Sequence, residues 1–553
     1  MVLYHGGDIL TMVGNSPEYV EAVVEKGGII IFKGKLQEAR EKHPDVMEKD
    51  LEGATMMPGH IDPHLHPAMA SLILQMQFIT PFDWKLPSGN IVGVRTETGY
   101  RERLQALIDS YDSSANEDKL LITWGYHESF HGKMEKKIMD EMCAGKPEVV
   151  PLIVWHRSFH EVYLSSAVLD NLVIRDQEKF DKCEQKDLET GNFYEGGLDV
   201  LLNFTDLGDK VMGRVQGGYG ELIKAIHLGG MTTICDLEFP CFDENLETGL
   251  SDQYLRSAGT HFSTYFVPSA RMYELLGGST DGAIELIRKK SEEFSDDQLG
   301  LFHNHVKILF DGAFYSLAMQ MKEPFTDGHT GEWITQPEQV EKWMRVYWNK
   351  GFQVHLHTNG DLAMEELLKI VEKLNKENPR PNHRTTVEHA GYFTEDQAQK
   401  MSELGMLVSA APYYFYALCE RYSEEGLGQE RAHAMVPLKW LFDRGVPTTI
   451  HSDFTMAPSQ PLVLAWSAIN RITSENQETF REDLRITPYQ GMLAITKNAA
   501  IILGLDEIIG TIEVGKYANF TILQENPMKV HPTAIKDIEV KAVVYKGKMS
   551  STT

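Results

Sequence analysis

The stretch PGHIDPHLHP, residues 58–67, decides the fold. It ends an apolar run that reads as a strand over Met56–His60. Pro58, Pro63 and Pro67 mark strand ends, because proline cannot donate to a central ladder. His64 and His66 stand two apart, and on a strand positions i and i+2 share one face. Two imidazoles at a strand end then point at one place from one side, which suits a metal ion. Taken alone, His-x-His fits two hydrogen-bonded core histidines as well.

Working outward, strand-like runs recur at Met231–Cys235, Phe262–Val267, Val306–Phe310, Phe352–His357, Thr385–His389, Leu407–Ala410 and Thr448–Ile450. Amphipathic stretches such as Gly282–Phe294 and Leu362–Asn375 lie between them. This alternation predicts a parallel sheet with covering helices, and eight such strands favour a closed barrel. Lys307, His357, His389 and Asp453 fall on or just after four of the runs. In a parallel barrel those ends converge on one mouth, where active sites lie. Each has an ordinary reading too: a bonded core histidine, or an aspartate capping the next helix. Lys307 is the hardest to explain away, because burying an ammonium is costly.

The chain has 553 residues, enough for two or three packed units. Lys plus Arg number 53 against 80 Asp plus Glu, a net charge of −27. Nucleic acid and anionic membrane partners want basic patches and are disfavoured; an anionic small molecule is not, since a pocket can differ in sign from the surface. The five cysteines include no CxxC pair, which fits a reducing cytoplasm better than a disulfide framework. No secretory leader is visible, and no apolar run approaches the roughly 20 residues of a membrane span. Residues 71–210 are too long for one connection and read as an inserted α/β subdomain, with a strand over Pro151–His156. GGIIIFKGKL at 27–36 and VKAVVYKGKM at 540–549 look alike, which suggests that both ends of the chain meet in one β unit.

GGDILTM at 6–12, LEGATMMPGHIDPHLH at 51–66, WGYHESF at 124–130, RSFHEVYLSSAVL at 157–169, KILFDGAF at 307–314, HTNGD at 357–361 and NAAIILGLDEIIGTIEVGKYANFTIL at 498–523 resemble, nearly end to end, the amidohydrolase superfamily of metal-dependent hydrolases. More narrowly, the chain resembles the subgroup that includes N-substituted formamide deformylase. The resemblance implies an α/β fold: a distorted (β/α)8 TIM barrel (58–70 and 211–504), a β-sandwich from both ends (1–57 and 505–553), and the insertion (71–210) after the first barrel strand. It implies His64, His66 and Asp453 as ligands of a more buried metal, and His357 and His389 as ligands of a second. Lys307 stands where many members carry a carboxylated lysine bridging both ions. The expected cofactor is one or two divalent ions per chain, zinc first. The expected reaction is hydrolysis of a C–N bond (amide, N-formyl or cyclic amide) of a small molecule by a metal-activated hydroxide, with Asp453 as proton acceptor. A homodimer is implied by the resemblance alone.

His160, Arg157 and Tyr413 are candidate substrate contacts, with His127 and His131 weaker ones and Tyr414 and Tyr416 as further pocket aromatics. His355 and His451 share faces with His357 and Asp453 and read as one layer deeper, while Glu388 should face away from His389 and serve structure. Asp311 and Asp361 read as loop or cap residues. Competing functions are ester or lactone hydrolysis, deamination, for which only Glu365 is offered after His357, and an inactive scaffold. Asn519 replaces the usual aspartate of the closing segment, away from the chemistry.

Overall fold

The computed structural model describes residues 1–551 except 115–117 and 258. The chain divides into two compact units, Met1–His66 with Ile223–Thr553, and Pro67–Leu222.

Eight strands of the first unit carry the site: β1 (His60–Leu65), β2 (Met231–Phe239), β3 (Ser263–Pro268), β4 (His305–Leu309), β5 (Gln353–Thr358), β6 (Thr386–His389), β7 (Leu407–Ala410) and β8 (Thr448–Ile450). Nearly all their residues are buried, as expected for parallel strands covered on both faces. They form two parallel sheets. In one, β1, β2 and β3 are followed by a short strand, Leu299–Leu301; the other runs β4-β5-β6-β7-β8. The sheets meet at two seams. A parallel bridge joins Ser269, just past β3, to Lys307 of β4. Past β8, the Asp453 amide donates to the His64 carbonyl at 2.9 Å, and Ser452 bonds the buried Asp62 carboxylate through its amide and hydroxyl.

Helices return the chain between strands, and their starts are sequence-encoded. Ser279 caps Thr280–Phe294, and Thr394 forms a capping box with Gln397 at the head of Glu395–Leu404. The chain ends meet as expected. One eight-stranded sheet orders Lys548–Ser551, Val540–Tyr545, Phe520–Leu523, Thr55–Pro58, Val2–Leu10, Tyr19–Lys26 and Ile29–Gly34, with Met47–Asp50 paired to Val2–Leu10.

The decisive stretch departs from its expectation in two details. The single run Met56–His60 is two strands, Thr55–Pro58 in the end sheet and β1, separated at Gly59. Only glycine passes there: a Cβ would lie 2.0 Å from the Thr232 hydroxyl oxygen. Pro63 lies inside β1 rather than at its end. It is tolerated because β1 ladders only with β2 among the described strands, and their register shifts beside it.

The second unit holds a six-stranded sheet ordered Lys186–Asp187, Asn192–Tyr194, Glu161–Leu164, Leu152–His156, Leu121–Tyr126 and Gln77–Phe78. Its core gathers Tyr100, Leu104, Met139, Leu152 and Val154. No helix among the described residues is long and apolar enough to cross a membrane.

Candidate metal and catalytic centre

His64 leaves β1 with its carbonyl on the Asp453 amide, so the β1 and β8 ends are locked together. The register pairs Thr358 with His389 and His389 with Ala410, and Ala410 with Ile450, bringing the ends of β5 to β8 to one height. His389 has φ 72° and Asp453 φ 49°. Left-handed backbone is uncommon for such residues, and it clusters at functional sites.

Four histidines and one carboxylate converge. Two sets, His64 with His389 and His451, and His64 with His66 and Asp453, each place one ligand atom per residue within 4.8 Å of the others. Asp453 Oδ1 lies 3.3 Å from His66 Nε2 and 3.9 Å from His64 Nε2, while Oδ2 lies 3.8 Å from His389 Nδ1. His451 Nε2 is 3.1 Å from His389 Nδ1. The His357 and His389 ring centroids are 4.3 Å apart, and the Asn359 amide lies 2.9 Å from His357 Nε2. Exposure is graded: His64 and His389 are fully buried, whereas the Asp453 side chain retains 13 % and that of His66 11 %. The group opens on the side of those two.

Carboxylates stand behind the rings. His66 Nδ1 meets Asp236 Oδ1 at 3.1 Å, and His64 Nδ1 meets Glu388 Oε2 at 3.0 Å. Burial lowers the pKa of His66, but Asp236 and Asp453 outweigh it and carry the ring up to about 10. Burial, then the Lys307 charge, holds His64 well below the usual histidine range. Burial alone would raise Asp453, yet its bond to His66 and the surrounding positive groups hold it below the usual carboxylate range. Lys307 is 1 % exposed on β4 and its pKa is depressed by burial, with Glu388, Glu238 and Asp453 nearby opposing the shift.

The donor set fits a divalent cation. Imidazole nitrogens and a carboxylate are the ligands zinc and its neighbours in the transition series accept. The buried Asp236 Oδ2 and Glu238 Oε2 also lack a hydrogen-bond partner among the described residues, which marks a site built for something further.

Sequence reasoning passed over three of these residues. His451, read as one layer deeper, belongs to the converging set. Glu388, read as facing away, bonds His64. Asp236 went unnoticed, although it follows Cys235 at the end of a recognised run. Of the substrate candidates, Tyr413 is buried with its ring 5.1 Å from Tyr416. Its neighbour Tyr414 stacks on Phe314 at 4.6 Å and feels the Asp453 charge. His160 and Arg157 belong to the second unit. His160 Nδ1 meets Glu195 at 3.0 Å. Arg157 is 0 % exposed, donates to Thr80 at 2.9 Å and lies over the Phe82 ring at 4.7 Å.

A model of the amidohydrolase family matches residues 48–550. The chain belongs to that family. It is therefore a hydrolase of carbon–nitrogen bonds. It is 23% identical to the YtcJ protein of Bacillus subtilis (strain 168) over 99% of this chain and 98% of that one. It is 21% identical to N-substituted formamide deformylase of Arthrobacter pascens over 95% and 94% of the two chains. The crystal structure of an uncharacterized metal-dependent hydrolase from Pyrococcus horikoshii OT3 superposes with a TM-score of 0.68 at 17% identity, covering 96% of this chain and 99% of that one. That likeness establishes a shared α/β fold.

Proposed function

We propose that this amidohydrolase is a metal-dependent enzyme that cleaves an amide, N-formyl or cyclic amide bond of a small molecule, with Asp453 as its proton-transfer residue. One observation carries the reading: the Asp453 carboxylate spans His66, His64 and His389 on a partly open side of the buried histidine group. The likeness to N-substituted formamide deformylase supports the bond type. The two parallel sheets, joined at the Ser269–Lys307 and His64–Asp453 seams, form a closed (β/α)8 barrel in this reading. The eight-stranded end sheet is the family's sandwich, and residues 71–210 are the insertion.

His64, His66 and Asp453 would hold one ion, and His357 and His389 a second, with zinc the first choice. A bound ion supplies Lewis acidity for the scissile carbonyl and lowers the pKa of a water. Asp453, held ionised by His66, takes the proton from the attacking water and delivers it to the leaving nitrogen. Lys307 is desolvated, and its lowered pKa makes a neutral amine available to add carbon dioxide; with loss of one proton it would become an anionic carbamate, a group able to serve as a metal ligand. His451 and Asp236 orient their neighbours. Tyr413, Arg157 and His160 remain the proposed substrate contacts.

Deamination is disfavoured by Glu365. It lies on the helix Asp361–Glu377 and pairs with Lys322 and, at 2.9 Å, with Lys369.

The test is turnover of zinc-replete and metal-stripped protein on N-formyl, N-acyl, cyclic amide and ester panels, beside metal counting and carbon-13 spectra of protein equilibrated with labelled bicarbonate. Zinc-dependent cleavage of a C–N substrate with a carbamate signal is expected. Ester-only turnover, or ammonia released from an aminated ring, would replace the reading.

A further inference from the structure

We propose that Arg384, Gln353, His355 and Glu388 form a one-way hydrogen-bond chain that fixes the tautomer of His64 and presents its Nε2 lone pair to the centre. The purpose of the chain rests on the metal reading above; its geometry does not.

The polarity starts at the arginine, because a guanidinium only donates. Arg384 Nε donates to Gln353 Oε1 at 2.9 Å. That orients the amide, so Gln353 Nε2 turns inward. Its two hydrogens face three acceptors: the Ile502 carbonyl at 2.7 Å takes one, and Thr386 Oγ1 and His355 Nε2, both at 3.2 Å, share the other. An amide nitrogen cannot accept, so His355 Nε2 must, and a neutral imidazole then carries its proton on Nδ1. That Nδ1 donates to Glu388 Oε1 at 2.8 Å. The second Glu388 oxygen, Oε2, lies 3.0 Å from His64 Nδ1. In its ionised form the carboxylate accepts there as well. His64 therefore holds its proton on Nδ1, and Nε2 faces Asp453 as a lone pair.

Two further observations support the chain. Gln353, His355, Glu388 and His64 are at most 3 % exposed, so water does not compete for these bonds. Arg384 itself holds φ 54°, a left-handed backbone for which no glycine is used. These four are positioning residues; none of them touches the reacting atoms.

The test uses the full chain with nitrogen-15 in its histidine rings. In metal-free wild-type protein, His64 and His355 should both appear as the Nδ1–H tautomer, assigned by loss of signal in His64→Gln and His355→Gln. An Nε2–H tautomer at His64 overturns the proposal. Zinc affinity against a competing chelator is the second readout. Glu388→Gln should weaken zinc by about 10–100-fold, as outer partners of metal ligands do. Gln353→Glu keeps the bond to Arg384 but removes the donor to His355, and should weaken zinc by a smaller factor. The double variant should bind zinc no worse than Glu388→Gln alone, since both changes act through one chain. Additive losses overturn it. A wild-type protein that binds no zinc sinks the metal reading instead, while the tautomer still decides the chain.

Discussion

The molecule contains two groups of buried histidines, one in each unit, and they are built on opposite principles. In the first unit, His64, His66, His389 and His451 crowd around Asp453, with Glu388 and Asp236 behind them. In the second, His131 stacks on Tyr100 at 4.3 Å and meets the Val94 carbonyl at 2.7 Å. His156 bonds the Ser158 hydroxyl at 2.8 Å, and Arg157 lies over the rings of Phe82, Trp84 and Trp124. Carboxylates make an imidazole a basic ligand with a fixed lone pair. Aromatic rings, carbonyls and hydroxyls make it a packed neutral ring. Burial is common to both groups and so does not mark a site; the partner type does.

Changing one member of each group breaks the comparison most sharply. Asp453→Asn should lower turnover by about 10²–10⁴-fold, the range of a lost proton-transfer group. His156→Phe should leave both turnover and zinc content unchanged. Steady-state kinetics with circular dichroism checks the pair, and wild-type-like turnover of the Asn variant would reject the role of Asp453. Next, Lys307→Arg cannot form a carbamate, so it should lose the second zinc and most of the activity. Metal analysis per chain decides it, and an unchanged metal content removes the binuclear arrangement.

The second unit should answer in stability. His131→Leu strands the His127 amide that it accepts and the Val94 carbonyl, costing about 1–3 kcal/mol with zinc uptake intact. A loss of zinc would show the two groups are not independent. Acid should act in the same direction. Burial pushes His131 and His156 down to about 4, below the roughly 6.5 of an unfolded histidine. Between those values the unfolded chain binds protons the folded rings refuse, so stability is full above pH ~6.5 and falls as pH drops towards 4. Denaturation midpoints across that window should slope less in His156→Phe; an equal slope would locate the acid sensitivity elsewhere. The smallest effect belongs to Glu195→Gln. Its pair with His160 is about one-third exposed, and its loss should cost at most about 1 kcal/mol.

Much of the first group was legible because strand ends have a simple grammar. His64, His66 and Asp453 each close or follow an apolar run, and the structure draws all three together. Glu388 was misread for a definite reason. Alternation assigns adjacent residues to opposite faces only while the backbone stays extended, and His389 at φ 72° ends that condition. Pro63 misled in the same way, because its tolerance depends on how many neighbours β1 has. In the second unit, the arginine of RSFH is wrapped by aromatic rings from elsewhere in that unit, and its own sequence neighbours do not announce that packing.

By itself the sequence determined the βα alternation, the meeting of the two chain ends, the family and the residues at the strand ends. Those follow from local periodicity and from motifs that keep their spacing. Tertiary structure decided which histidines have carboxylates behind them, that His451 joins the centre, and that a chain of donors reaches His64 from Arg384. Hydrogen-bond partners are set by register and by seams between elements far apart in sequence, and no local pattern carries that information.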